Sequence, residues 1–182
     1  NEQARWNDLV VVNLAHPPGN QPFAALGSGF RSLVQRCPRP ILAIPNQACR
    51  EDIEAGSESP CLNSALLAFD GSPKANEALV VAAYLAGKWE IPLVVVTVVD
   101  DPEISSNALD SARRYLEARQ VQATYLAAYG NVAESILETA AEQGNDLLLL
   151  GGYGHGPFLD AVLGNTVDKI LRVSSLPVLI CR

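Results

Sequence analysis

Hydrophobic positions in this chain follow two periods that take turns. Continuous apolar runs of four to seven residues alternate with stripes in which apolar residues recur every three or four positions, the patterns of buried strands and amphipathic helices. From residue 63 onward the alternation is regular. Ser64 to Phe69 is predicted to be a first strand. Asp70-Gly71-Ser72-Pro73 follows, with Ser72 as N-cap and Pro73 in the first helical position. Ala75, Ala78, Leu79, Ala82 and Leu85-Ala86 form a helical stripe predicted to end at Gly87. Leu93 to Val99 is a β-branched run after its first residue, as in a strand buried on both faces. Leu109, Ala112 and Leu116 mark a second helix, and Ala123 to Ala127 a weaker third strand. Asn131-Val132-Ala133-Glu134 reads as a capping box opening the helix of Ile136, Leu137, Ala140 and Ala141, closed by Gly144. A strand at Leu147-Leu148-Leu149-Leu150, a helix through Val167, Ile170 and Leu171, and a strand from Val178 to Cys181 complete five strands and four helices. Such alternation predicts an α/β fold, a five-stranded parallel sheet with helices on both faces. Ligands of such sheets bind beyond the carboxyl ends of the strands, where strand order reverses. Asp70 and Gly151 share one crevice if the first and fourth strands are neighbours.

The last third of this pattern also occurs near the start of the chain. Asp8-Leu9-Val10-Val11-Val12 matches Asp146-Leu147-Leu148-Leu149-Leu150, and Pro22-Phe23 matches Pro157-Phe158. Gly27-Ser28 matches Gly164-Asn165, and Cys37-Pro38-Arg39-Pro40-Ile41-Leu42 matches Ser174-Ser175-Leu176-Pro177-Val178-Leu179. Such self-similarity marks a tandem duplication. The expected organisation is the C-terminal portion of a first repeat in residues 1–45, a linker in 46–62 and a complete second repeat in 63–182. The linker segment is polar, acidic and rich in small residues. The sequence has no Met, so its translated start is expected to lie upstream.

Composition narrows the function classes. A net charge of −7 argues against general nucleic-acid affinity, which needs clustered Lys and Arg. No apolar run approaches the roughly 20 residues of a membrane helix. Cys37, Cys49, Cys61 and Cys181 form no CxxC pair, so neither a metal site nor a disulfide framework is expected, and the scattered thiols fit a reducing compartment.

The richest chemistry lies where the fourth strand of the second repeat ends, in Gly151-Gly152-Tyr153-Gly154-His155-Gly156-Pro157, followed by Gly164-Asn165-Thr166. Backbone without side chains lets amide N–H groups surround an anion, and a helix opening after Gly164 adds unpaired donors and a positive dipole end. Two such elements in one connection point to a polyphosphate. The same glycines also suit a tight turn, and Asp70 could simply order its own loop as an Asx-turn. In the first repeat Asn13-Leu14-Ala15-His16 replaces the glycine pair, so that copy is expected to be a structural partner. His155 has no partner carboxylate or nucleophile fixed by sequence and reads as a solvated loop residue. The Lys-Ser/Thr of a Walker A loop, the G-x-G-x-x-G of a dinucleotide fold and a nucleophile elbow are all lacking.

With Asp70, the glycine spacing and this strand order, residues 63–182 resemble the universal stress protein family, and residues 8–45 resemble the end of another copy. The family's nucleotide-binding signature, G-x2-G-x9-G-[S/T], is met by Gly151, Gly154 and Gly164, with Asn165 in the last place and Thr166 one step on. The resemblance implies an adenine nucleotide alpha-hydrolase-like, Rossmann-like fold. It implies that Asp70 reads adenine, that Ala68 and Val98 line the base pocket, and that Leu150 and Tyr153 lie along the ribose and phosphate path. Its cofactor would be ATP, with or without Mg²⁺. The implied function is a cytoplasmic, stress-response regulatory protein that binds ATP with little or no catalysis. The alternatives are a nucleotide-free assembly module of the same fold and a slow ATP hydrolase. Val178-Leu179-Ile180-Cys181 and Ile41-Leu42-Ala43-Ile44 are expected to pair, as an intramolecular pseudo-dimer or as a homodimer through the last strand.

Overall fold

A computed structural model describes residues 6–14, 28–45, 62–99, 102–152 and 166–181. The strands are β1 (Val10–Leu14), β2 (Ile41–Pro45), β3 (Ala65–Ala68), β4 (Leu93–Val98), β5 (Ala123–Ala128), β6 (Leu147–Gly151) and β7 (Val178–Cys181). The helices are α1 (Ser28–Arg36), α2 (Pro73–Trp89), α3 (Pro102–Glu117), α4 (Val132–Glu142) and α5 (Thr166–Val173). All seven strands form one sheet in the order β1-β2-β7-β6-β3-β4-β5. Within residues 65–181 every pairing is parallel. β1 and β2 are also parallel to each other, whereas β2 meets β7 antiparallel, with Leu42 opposite Leu179. The two matching last strands therefore do pair within one chain. Apart from Leu62, the expected linker lies outside the described residues.

Strand alternation sends side chains to two cores. Leu67, Val95, Leu149 and Leu179 face α2 and α3, whose Ala75, Ala78, Leu79, Ala112 and Leu116 are buried against them. Leu66, Val94, Val96, Leu148, Val178 and Ile180 face α1, α4 and α5, through Val34, Ile136, Ala140, Val167, Ile170 and Leu171. β4 is buried on both faces through Thr97, as its unbroken apolar run predicts. Thr97 keeps its hydroxyl satisfied by donating to the Phe69 carbonyl at 2.7 Å, which ties the end of β4 to the end of β3.

Local signals acted mostly as expected. Ser72 caps α2, accepting from the Ala75 N–H at 3.1 Å, and Asn131 caps α4. The stop at Gly87 did not hold. α2 continues two residues to Trp89, and Glu90 takes the left-handed cap position at φ 55°. Gly87, Lys88 and Trp89 are all exposed, so the extension is a single solvent-facing end of the helix, where a boundary shifts by one or two residues at little cost. At the amino edge, Asp146 accepts from the Asn63 N–H (2.7 Å), the Ser64 N–H (3.1 Å) and Asn63 Nδ2 (3.1 Å). This carboxylate latches the start of β3 to the start of β6.

Candidate functional site

β3 is the point at which the sheet reverses: the chain moves outward to β4 and β5 on one side, then returns to β6 and β7 on the other. A crevice between diverging loops is the geometric consequence at the carboxyl ends of β3 and β6. β3 and β6 are direct neighbours, with Ala65, Leu66 and Leu67 opposite Leu147, Leu148 and Leu149. Asp70 and Gly151 thus flank the same switch point.

Three of the apolar residues predicted for the site lie together. Ala68 and Val98 are half-buried and Leu150 is buried, all packed on the face that carries α4 and α5. α5 begins at Thr166, which is half-buried on that same side of the sheet. Val98 lies opposite Ala128 at the ends of β4 and β5. Asp70 is exposed just beyond Ala68. Its Oδ1 accepts the Ser72 N–H at 2.9 Å, the Asx-turn that its sequence context allows. No described residue donates to Oδ2. The turn therefore orients the carboxylate while leaving one oxygen able to accept from a ligand.

Gly151 turns to the opposite face. A Cβ there would lie 2.6 Å from the Lys74 carbonyl carbon and oxygen and 2.8 Å from the Ala75 nitrogen. The first turn of α2 thus rests directly on the Gly151 backbone, an approach made possible by Ala75 and Ala78 on the inner side of the helix. Gly152 is engaged as well, since its N–H donates to the Cys181 carbonyl at 2.7 Å. The structure gives the first glycine of the loop a packing cause that sequence reasoning did not include; close helix–strand approach is the missed signal. Tyr153, Gly154, Gly164 and Asn165 lie outside the described residues, as does His155. Lys74, at the mouth of the crevice, binds Glu77 at 2.8 Å.

Cys181 lies in register with Gly151 and is fully buried. Burial, followed by the charge of Glu77, pushes its thiol up to about 12. At pH 8 roughly one molecule in ten thousand then carries the thiolate, the only reactive form. In native protein Cys181 is expected to resist iodoacetamide at pH 8 and to react once denatured. Equal rates before and after denaturation, followed by peptide mass spectrometry, would contradict this burial.

The sheet order and its switch point define an open, Rossmann-like α/β protein with helices on both faces. The model of the Universal stress protein family matches residues 63–129 and 105–182, and the chain belongs to that family. It is 29% identical over 183 residues to the universal stress protein Slr1230 of Synechocystis, covering 96% of this chain and 58% of that protein. The chain thus spans little more than half the length of that curated relative. Among solved structures, a universal stress protein from Archaeoglobus fulgidus superposes with a TM-score of 0.78 at 18% identity, covering all of this chain and 64% of the other. A universal stress protein in complex with cAMP superposes with a TM-score of 0.60 at 22% identity, over 68% of this chain and 98% of the other. A family member from Arabidopsis thaliana with AMP bound gives 0.52 at 13% identity, over 65% and 90%. At these identities the superpositions speak to the fold.

Proposed function

We propose that the chain binds an adenine nucleotide, ATP in the cell, at the crevice between β3 and β6. It would act as a cytoplasmic regulatory protein of the stress response with little or no catalysis. The observation that carries this reading is the grouping of Ala68, Val98 and Leu150 on one face at the switch point, with Asp70 Oδ2, to which no described residue donates, beyond them. That set offers an apolar slot for a purine and one acceptor for its exocyclic amine. The cAMP and AMP complexes of related proteins support the same ligand class. The choice of ATP rests on the spacing of Gly151, Gly154 and Gly164, followed in sequence by Asn165 and Thr166. The backbone of that loop and the N-terminus of α5 would hold the phosphates, and Mg²⁺ would enter with the nucleotide. Asn165, in place of the signature's Ser or Thr, is a residue type that can still donate a hydrogen bond and is favoured as an N-cap. In this reading residues 63–182 are the nucleotide-binding repeat, and residues 1–45 contribute the closing elements of another.

Calorimetric titration of ATP with Mg²⁺ into the purified chain tests the proposal. Saturable heat and a rise in thermal midpoint are expected, since a ligand of the folded state stabilises it by mass action. Gly154→Val is expected to weaken binding at least tenfold with the fold retained, because its side chain blocks close approach of the backbone. No heat and no thermal shift at millimolar ATP would reject the reading. The nucleotide-free assembly module would then take its place, favoured by the β2–β7 pairing and by the Asx-turn at Asp70.

A further inference from the structure

We infer, building on the nucleotide reading above, that Val132 is the wall of the base slot on the β5 side and limits the size of the base the site admits. Val132 is the first residue of α4, which follows β5 and lies over β4 and β5. The helix covers the face that carries Ala68, Val98 and Leu150, and its Ala133, Ile136 and Ala140 are buried there. Val132 stands one turn before Ile136 and so belongs to the same inner side of the helix. Ile136 is 3% exposed, whereas Val132 is 44% exposed. β5 ends at Ala128, and helical side chains lean toward the N-terminus, so Val132 reaches past the last row of the sheet.

Three strands end together at that level. Val98 lies opposite Ala128, and Val99 donates its N–H to the Ala128 carbonyl at 3.1 Å. Continuing the β3–β4 register past Ala68 and Val96 brings Asp70 level with Val98. The order β6-β3-β4-β5 then fixes how a nucleotide would lie across these ends. With its phosphates at β6 and α5 and its base at Asp70 and Val98, the far edge of the base turns toward β5 and the start of α4. Neighbouring strands stand about 4.8 Å apart, so a ring beside Val98 is one strand spacing from β5. Of the large apolar side chains exposed among the described residues, only Tyr129 and Val132 lie where the chain leaves the carboxyl ends of β3, β4, β5 and β6. Of these two, Val132 is the one on the inner side of α4.

The turn that carries Val132 is tied down without a ligand. Ser135, 7% exposed, donates its hydroxyl to the Tyr129 carbonyl at 3.0 Å. The Asn131 side chain caps the helix by accepting from the Glu134 N–H at 3.4 Å. An apolar wall held in this way offers no hydrogen bond and cannot withdraw. It therefore acts on size and leaves the identity of the base to Asp70. One methylene too many or too few in such a pocket changes affinity by about tenfold or more.

Calorimetry with AMP and with N6-benzyl-AMP, whose added ring extends the far edge of the base, tests the assignment. Val132→Phe should fill the slot and weaken AMP at least tenfold, with the ligand-free melting curve unchanged. Val173→Phe makes the same change at an exposed position at the far end of α5, and should bind AMP as the parent does. Val132→Ala should open the slot, raising the affinity for N6-benzyl-AMP relative to AMP at least tenfold over the parent's ratio. AMP bound equally well by parent and Val132→Phe overturns the inference and leaves the nucleotide reading standing. An equal loss in Val173→Phe overturns it too. No heat from the parent with either AMP or ATP overturns both the inference and that reading. If Val132→Phe fails to fold, Val132→Ala decides alone, and an unchanged ratio of the two ligands overturns the inference.

Discussion

Gly151→Ala is expected to lower the unfolding free energy of the ligand-free protein by about 3 kcal/mol, the upper part of the range for overpacking. In a domain of this size that corresponds to a fall in thermal midpoint of roughly 6–12 °C. The cause is not backbone conformation, because Gly151 ends a regular strand. The added Cβ would fall 2.6 Å from main-chain atoms of Lys74, and no flexible side chain can yield there. Relief requires α2 to lift from the sheet, which loosens Ala75 and Ala78 from the core they share with Leu149 and Cys181. Gly144 makes a useful contrast. Its φ is 64° and nothing would touch its Cβ, so Gly144→Ala carries only the conformational penalty, about 1 kcal/mol. Denaturant melts of the two variants without nucleotide decide the matter. Equal small losses would mean that the α2 contact is not tight and that Gly151 serves the ligand alone.

That contact also marks the limit of what could be read in the chain. Element types and order were legible, because each depends on local period and punctuation: the β-branched run of β4, Ser72-Pro73 before α2, and Asn131 before α4. The β2–β7 pairing was anticipated from the family resemblance, with the internal match between residues 8–45 and 146–179 naming the two strands and their apolar character giving them reason to cover each other. Gly87 misled because it sits in the exposed end of the helix, where no packing fixes the boundary and it shifts by one or two residues. The Asp146 latch was invisible for a different reason: its donors, Asn63 and Ser64, lie more than 80 residues away in sequence. In the site, Ala68, Val98 and Leu150 were indicated by resemblance, and strand parity then explains why they share a face. The double demand on the glycine loop was not legible, because spacing cannot tell a backbone that approaches a phosphate from one that approaches a helix.

Asp70→Asn is expected to weaken ATP binding by about 10–100-fold while leaving the ligand-free melting curve unchanged. Asparagine keeps the oxygen that accepts the Ser72 N–H, so the Asx-turn and the entry into α2 survive. It also replaces the second carboxylate oxygen, to which no described residue donates, with an amide NH₂. A donor then faces the exocyclic amine of adenine where an acceptor stood. Hydrogen bonds to a charged group contribute about 1.5–3 kcal/mol, which sets the expected loss of affinity. Asp70→Ala removes both functions, and so should lower stability by about 1 kcal/mol in addition to affinity. The pair of variants separates the two roles of one side chain. If Asp70→Asn binds ATP as tightly as the parent and only Asp70→Ala is impaired, the carboxylate orders a turn and adenine is read elsewhere. If both lose affinity and only the alanine variant loses stability, Oδ2 is the group that reads the base.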